Sequence, residues 1–373
     1  MTKKKMFVNF KNIETPALLV EQSKLENNIQ KKQRLADRNN IGLRPHIKTH
    51  KSCYIAKMQI DAGAKGIAVA KISEAEVFAE CGFDDIQIAY LIIGENKVAR
   101  LYDLAQKVKR ITCCVDSKAG VNQISDYFSE RNAEIEVFIK VDIGYHRTGV
   151  EKFSNVLSLA NHIEKVPGVK LAGLLTHAGM GYAAKSLEDL MITGNQEGEI
   201  MAEHASRLSK NGVRIKEISV GSTPTSNFVA QSRHITELRC GNYVFYDMIQ
   251  VSIESCSIDD CALTCMATVI SKPTKNRVVI DAGSKALNLD KGVDNNNSVI
   301  GYGHIIDKDA TIERLSEEHG IIYHDGEDFS IGESIRIIPN HACVVMNLFD
   351  HFYLVDGGEI IKKVDIDARG KSQ

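Results

Sequence analysis

Residues 44–51 read Arg-Pro-His-Ile-Lys-Thr-His-Lys, with basic or imidazole side chains at alternate positions. On a β-strand, side chains alternate between faces. Arg44, His46, Lys48 and His50 would then share one face, and Leu43, Pro45, Ile47 and Thr49 the other. Such a cationic face is costly inside a protein unless it meets anions or solvent at a site. Clustered positive charge also disfavours protonation of any one amine, which promotes the neutral lysine that attacks an aldehyde. An exposed basic edge strand accounts for the same pattern, because buried charges are rare unless paired.

Three further constellations could carry chemistry. Gly221, Ser222 and Thr223, in Val-Gly-Ser-Thr-Pro-Thr over 220–225, combine a glycine that permits close approach with two hydroxyl donors ahead of a short helix, a combination suited to phosphate. An ordinary βα turn with a helix cap has the same composition. Gly241 and Asn242 offer a second such point at the next strand end, and barrels often bind phosphate at adjacent strand ends. Arg147 lies between Gly144 and Gly149 after another strand, where it would bind a phenolate or carboxylate or simply sit at the surface. His341 and Cys343 are two residues apart; on a strand they would face one way, and imidazole with thiolate suits zinc. Two ligands are fewer than a catalytic zinc usually takes from protein, so water, substrate or another residue would complete the shell.

These residues need elements to hold them. Eight β-rich runs are expected: Leu43–Lys48, Gly66–Ala70, Asp85–Tyr90, Ile111–Asp116, Ile135–Asp142, Lys170–His177, Ile215–Gly221 and Glu237–Tyr243. Helical patterns such as Ser73–Cys81, Asn96–Lys109, Asn155–Lys165 and Leu187–Lys210 lie between them. Eight strand–helix units in about 200 residues fit a (β/α)8 barrel, an α/β architecture. An open doubly wound sheet would normally show GxGxxG after its first strand, and none is present. After residue 249 the texture becomes strand and turn, over 262–283 and 333–362, which predicts a mostly antiparallel β domain. An early strand, Pro16–Val20, is expected to pair with it. The domain expectation is 27–248 for the barrel, and 1–26 with 249–373 for the β domain.

Composition narrows the class. The 373 residues are 43% hydrophobic and 25% charged, with a net charge of −2 and both signs spread along the chain. No basic stripe points to nucleic acid, and no apolar run approaches a membrane span. The nine cysteines lack CxxC spacing and are odd in number, so a reducing cytoplasm is the expectation.

Taken in order, the motifs resemble the D-threonine aldolase and D-serine dehydratase family, the alanine-racemase-like, fold-type III enzymes of pyridoxal 5'-phosphate (PLP). The resemblance runs almost end to end. It includes the segments 14–20, 44–51, 69–76, 142–149, 221–225, 241–247, 281–283, 318–320 and 339–343. It implies that Lys48 matches the Schiff-base lysine and Arg147 the arginine at the cofactor's 3-oxygen. Ser222, Thr223, Gly241 and Asn242 match the phosphate cup, and His177 and Tyr182 the cofactor face. His341 and Cys343 match the metal pair. It further implies a homodimer with active sites at the junction of one subunit's barrel and the other's β domain.

Within the resembling family, aldolases usually carry His-x-Asp with manganese or a similar cation, and the D-serine dehydratase side carries His-x-Cys with zinc (Zn2+). Cys343 therefore favours dehydration of a β-hydroxy-D-amino acid to a 2-keto acid and ammonia, and thiolate softness favours zinc as well. The alternatives are retro-aldol cleavage to glycine and an aldehyde, an amino-acid racemase needing a second acid/base, and a non-catalytic PLP carrier.

Overall fold

The computed structural model describes residue 10, residues 13–292 and residues 299–373. The chain divides into two compact units. One comprises the described residues through Gln30, Thr49–Tyr54 and Asn242–Gly370; the other comprises Lys31–Lys48, Ile55–Gly241 and Lys371–Gln373. β1 (Ala17–Glu21) belongs to the first unit.

The second unit is a parallel barrel. Its strands are β2 (Gly42–Leu43), β3 (Ile67–Val69), β4 (Asp85–Leu91), β5 (Arg110–Val115), β6 (Ile135–Lys140), β7 (Val169–Leu175), β8 (Glu217–Val220) and β9 (Glu237–Leu238). They pair in the order β2-β9-β8-β7-β6-β5-β4-β3. A parallel bridge between His46 and Ala68, with the Ala68 N–H donating to Pro45 O at 2.8 Å, closes the ring. Hydrophobic strand positions such as Ile67, Ile88, Val137 and Leu174 are wholly buried, as expected where helices cover a parallel sheet. Between the strands run amphipathic helices; Leu187–Lys210 begins at the Ser186 cap, whose hydroxyl accepts the Asp189 N–H.

The first barrel strand is shorter than the alternating pattern predicts. β2 ends at Leu43, and Ile47–Thr49 turn as a 3-10 helix. Two causes are visible. Pro45 has no N–H to give to a ladder. Arg44, buried, is drawn to the end of the barrel where strands begin: its Nε donates to Glu237 at 2.9 Å, and Nη1 and Nη2 to Asp85 at 2.7 and 3.1 Å. Arg44 and exposed Lys48 therefore do not share a face, and the one-faced cationic strand is not what the chain builds. Lys65 adds a second cation 2.7 Å from Glu237. Burial alone would raise the Glu237 pKa, but Arg44 and Lys65 outweigh it and hold the group down at about 2.

The first unit is built on a nine-stranded sheet. After β1 come β10 (Leu263–Thr274), β11 (Arg277–Ile280), β12 (His304–Ile305), β13 (Ala310–Leu315), β14 (Gly320–His324), β15 (Ser334–Ile338), β16 (His351–Asp356) and β17 (Glu359–Asp365). The order is β11-β14-β13-β12-β15-β10-β1-β16-β17, and β10 also pairs with β11. Six strands thus close into an antiparallel barrel, with β1, β16 and β17 as a wing. β1 pairs antiparallel with β10, Ala17 opposite Met266, as the early strand was expected to join this unit. β12–β14 lie in a stretch the sequence pattern left without strands; β12 is two residues long and β13 carries a bulge after Ile312, so neither shows clean alternation.

Candidate active site

The functional candidates of the barrel unit stand where its strands end. Lys48 projects from the 3-10 turn after β2 and is exposed. After β6, Asp142 organises the loop carrying Arg147: its Oδ1 accepts the N–H groups of Gly144, Tyr145 and His146 at 2.9, 2.9 and 3.1 Å. The Arg147 guanidinium lies 4.9 Å from the Tyr145 ring centre, and that ring meets His177 edge-on at 5.9 Å. A Cβ at Gly179 would fall 2.3 Å from the Tyr145 ring, so only glycine lets these loops pack. Burial, then the positive fields of Lys48, Arg147 and Arg239, push the His177 pKa well below its ordinary value, keeping the imidazole neutral. Lys48, Arg147, His177 and Arg239 all follow the C-terminal ends of their strands, β2, β6, β7 and β9, at one pole of the barrel. Tyr182 is half-buried in the following 3-10 segment, Gly179–Ala183.

Gly221, at φ 111°, turns the chain after β8, and Ser222 and Thr223 follow it, both buried. Ser222 Oγ lies 3.0 Å from Thr225 Oγ1. After β9 come Arg239, Cys240 and Gly241. Arg239 is buried; it donates to Ser219 Oγ at 2.8 Å and to the Thr176 carbonyl.

In the β unit, His341 and Cys343 are not on a strand. β15 ends at Ile338, His341 is the residue before a short helix, and Cys343 lies in that helix, Ala342–Met346. Asn340 enforces the bend: its buried amide donates to the carbonyls of Asp290 and Gly301 at 2.9 and 3.0 Å. The pair still meets, since His341 and Cys343 are hydrogen-bonded. His341 Nδ1 lies 2.8 Å from Asp290 Oδ2, which leaves Nε2 for another partner. The Cys343 thiol donates to Thr49 Oγ1 at 3.2 Å. Asn242 Nδ2 donates to Asp247 at 2.7 Å and approaches Cys343 Sγ at 3.8 Å. Asp247 also accepts the Ala342 N–H at 2.9 Å. Burial opposes a proton on His341, yet Asp290, Cys343 and Asp247 lift its pKa to about 10. One soft thiol, one imidazole and a carboxylate fixing the imidazole's far nitrogen form a donor set that fits a thiophilic divalent cation.

Sequence reading missed Arg239, Glu197, Asp247 and Asp290. Arg239 and Asp247 adjoin or fall within the 241–247 motif, so the signal existed. Asp290 and Glu197 lie in stretches without a motif.

Residues 20–248 match the alanine racemase N-terminal domain, and residues 262–355 match the "Putative serine dehydratase domain". The chain is 33% identical to a D-threonine aldolase from Arthrobacter sp., over 97% of this chain and 94% of the relative. It is also 33% identical to a D-threo-3-hydroxyaspartate dehydratase from Delftia sp., over 89% and 91%. The solved structure of that Delftia dehydratase superimposes with a TM-score of 0.90 at 30% identity, covering 95% of this chain and 97% of the other. Fold and site thus define an alanine-racemase-like enzyme. The chain belongs to the D-threonine aldolase and D-serine dehydratase family, a family of PLP-dependent lyases.

Proposed function

We propose that the protein is a zinc-assisted dehydratase that converts a β-hydroxy-D-amino acid, of the D-serine or D-threonine type, to a 2-keto acid and ammonia. The observation carrying this reading is the metal pair: His341 with Asp290 on its Nδ1, beside the soft thiol of Cys343. A similar D-threo-3-hydroxyaspartate dehydratase has been solved with a histidine changed to alanine and with a cysteine changed to alanine, the latter in a metal-free form.

PLP, when bound, supplies an aldehyde that captures the amino group and a ring that takes up the electron pair left at Cα. Zinc, when bound, supplies Lewis acidity toward the β-hydroxyl. The chain does the rest. Lys48 would hold the cofactor's aldehyde and, once the substrate's amine has displaced it, its free amine would serve as the base for the α-proton. Ser222, Thr223 and the main chain at Gly241 and Asn242 hold the phosphate, and Arg147 meets the 3-oxygen. His177, kept neutral by its surroundings, and Tyr182 line the ring. His341 and Cys343 hold the metal. The barrel unit, expected from the sequence over 27–248, is the cofactor domain, and the working form is a cytoplasmic homodimer. Among the described residues no helix is long and apolar enough to cross a membrane.

The aldolase is the second reading, favoured by the 33% identity to the Arthrobacter enzyme. A product screen decides. With D-serine, D-threonine and 3-hydroxy-D-aspartate, the proposal requires ammonia and a keto acid, and loss of both when zinc is stripped. Glycine and an aldehyde would establish the aldolase, and full activity without zinc would refute the metal's role.

A further inference from the structure

Glu197 lies on the helix Leu187–Lys210 with its carboxylate wholly buried. Donors from two loops converge on it. The Gly221 N–H donates to Oε1 at 2.8 Å, the Thr225 hydroxyl to Oε2 at 3.0 Å, and the Ala178 N–H donates as well. Ala178 follows His177 after β7, while Gly221 and Thr225 bracket Ser222 and Thr223 after β8. One carboxylate thus ties together the loop of the ring-facing histidine and the loop of the hydroxyl pair. Close helix packing makes this reach possible. A Cβ at Gly194 would lie 2.8 Å from Phe228 Cβ, and one at Gly198 2.0 Å from Ser232 Oγ.

Ser222 Oγ continues the chain, 3.0 Å from Thr225 Oγ1. A bound phosphate extends it to three contacts: Glu197 to Thr225, Thr225 to Ser222, and Ser222 to a phosphate oxygen. Each contact needs a proton, and the two hydroxyls carry only one each. With Glu197 ionised, one contact joins two acceptors.

We propose that Glu197 is a positioning residue of the phosphate-binding loops and that a phosphate monoester binding at Ser222 brings a proton onto Glu197. This rests on the reading of Ser222 and Thr223 as the cofactor's phosphate cup. The balance is simple. A solvent proton adds to Glu197 Oε2, which donates to Thr225; Thr225 donates to Ser222, and Ser222 to the phosphate. No heavy-atom bond changes. The carboxyl is already poised for this: burial raises its pKa to about 7, against the opposing pull of the Gly221, Thr225 and Ala178 hydrogen bonds and the positive charge of Arg239. Arg239 is the charged group facing it, from the end of β9; the neighbours contributed by the β7 and β8 loops are neutral.

Calorimetric titration of the cofactor-free protein tests the inference. PLP and pyridoxal, which lacks the phosphate, are each titrated at pH 8 in two buffers of different ionisation enthalpy. Proton changes at the aldehyde are common to both compounds and cancel. The wild type is expected to take up more protons with PLP than with pyridoxal. In Glu197→Gln the amide N–H donates to Thr225 permanently, so PLP still binds but the difference disappears. Thr225→Val breaks the relay without touching the carboxylate and should also abolish the difference, with PLP affinity falling about tenfold, as for one lost hydrogen bond. Equal uptake for both compounds in the wild type, or a difference that survives in either variant, would overturn the inference. Failure of the wild type to bind either compound would instead overturn the cofactor reading beneath it.

Discussion

Thr49 Oγ1 lies 3.2 Å from Cys343 Sγ, and Thr49 is the residue immediately after Lys48. The metal candidate is therefore hydrogen-bonded to the direct neighbour, along the chain, of the proposed cofactor lysine. Replacing Lys48 with alanine should abolish the visible absorbance of bound cofactor and lower ammonia release by about a thousandfold or more, the upper range for loss of a positioned proton-transfer group. Zinc content, measured by atomic absorption, should stay unchanged. Persistence of the absorbance would move the lysine assignment elsewhere.

Cys343→Ala and His341→Ala should each lower bound zinc and activity together. Asp290→Asn should act more gently, weakening metal affinity about 10- to 100-fold, as expected when a ligand histidine loses the group that orients it. Excess zinc should rescue Asp290→Asn and not Cys343→Ala. Identical behaviour of the two variants would remove Asp290 from the supporting role.

His177 should remain neutral well below the pH at which an ordinary histidine titrates. Its ring proton shift in NMR is expected to stay constant from pH 8 through the usual imidazole range. Because the positive field of Arg147 contributes to the depression after burial, Arg147→Ala should move the titration upward. An ordinary titration in the wild type would show that the site does not hold the ring neutral.

At the opposite pole of the barrel, Arg44→Ala leaves the buried Glu237 without its main partner. Breaking a buried pair from one side costs about 3–5 kcal/mol, read as a fall in the denaturant midpoint. The pH dependence follows in sign. Glu237 has a pKa depressed to about 2 in the folded state. Its contribution is complete above the unfolded carboxyl value and is lost as pH falls toward about 2. In wild type, stability should decline over that acid window, and Arg44→Ala should flatten the decline.

Much of this was legible beforehand, and the exceptions have physical causes. The helix Leu187–Lys210 was readable to the residue because a serine cap opens it and a long amphipathic pattern sustains it. The eight barrel strands were placed by their apolar runs, though β2 and β9 shrink to two residues each. Arg44 misled because alternation assigns a face and says nothing of a carboxylate 193 residues away that redirects the side chain. His341 and Cys343 were legible as a pair but not as a bend, since Asn340 sets that bend through the distant carbonyls of Asp290 and Gly301. Glu197 had no motif at all; only the folded positions of Gly221 and Thr225 give it meaning.

The β1–β10 pairing has a consequence for how the protein is made. Thr15 and Thr268 touch through their hydroxyls at 2.6 Å across 253 residues of chain, and β1 also lies parallel to β16. A ribosome must therefore deliver the whole barrel before β1 gains its first neighbour, β10, and most of the second sheet before it gains the other, β16. Contacts this distant in sequence form late and slowly. Until then β1, apolar along most of its length, is an unpaired edge during synthesis, of the kind that chaperones cover.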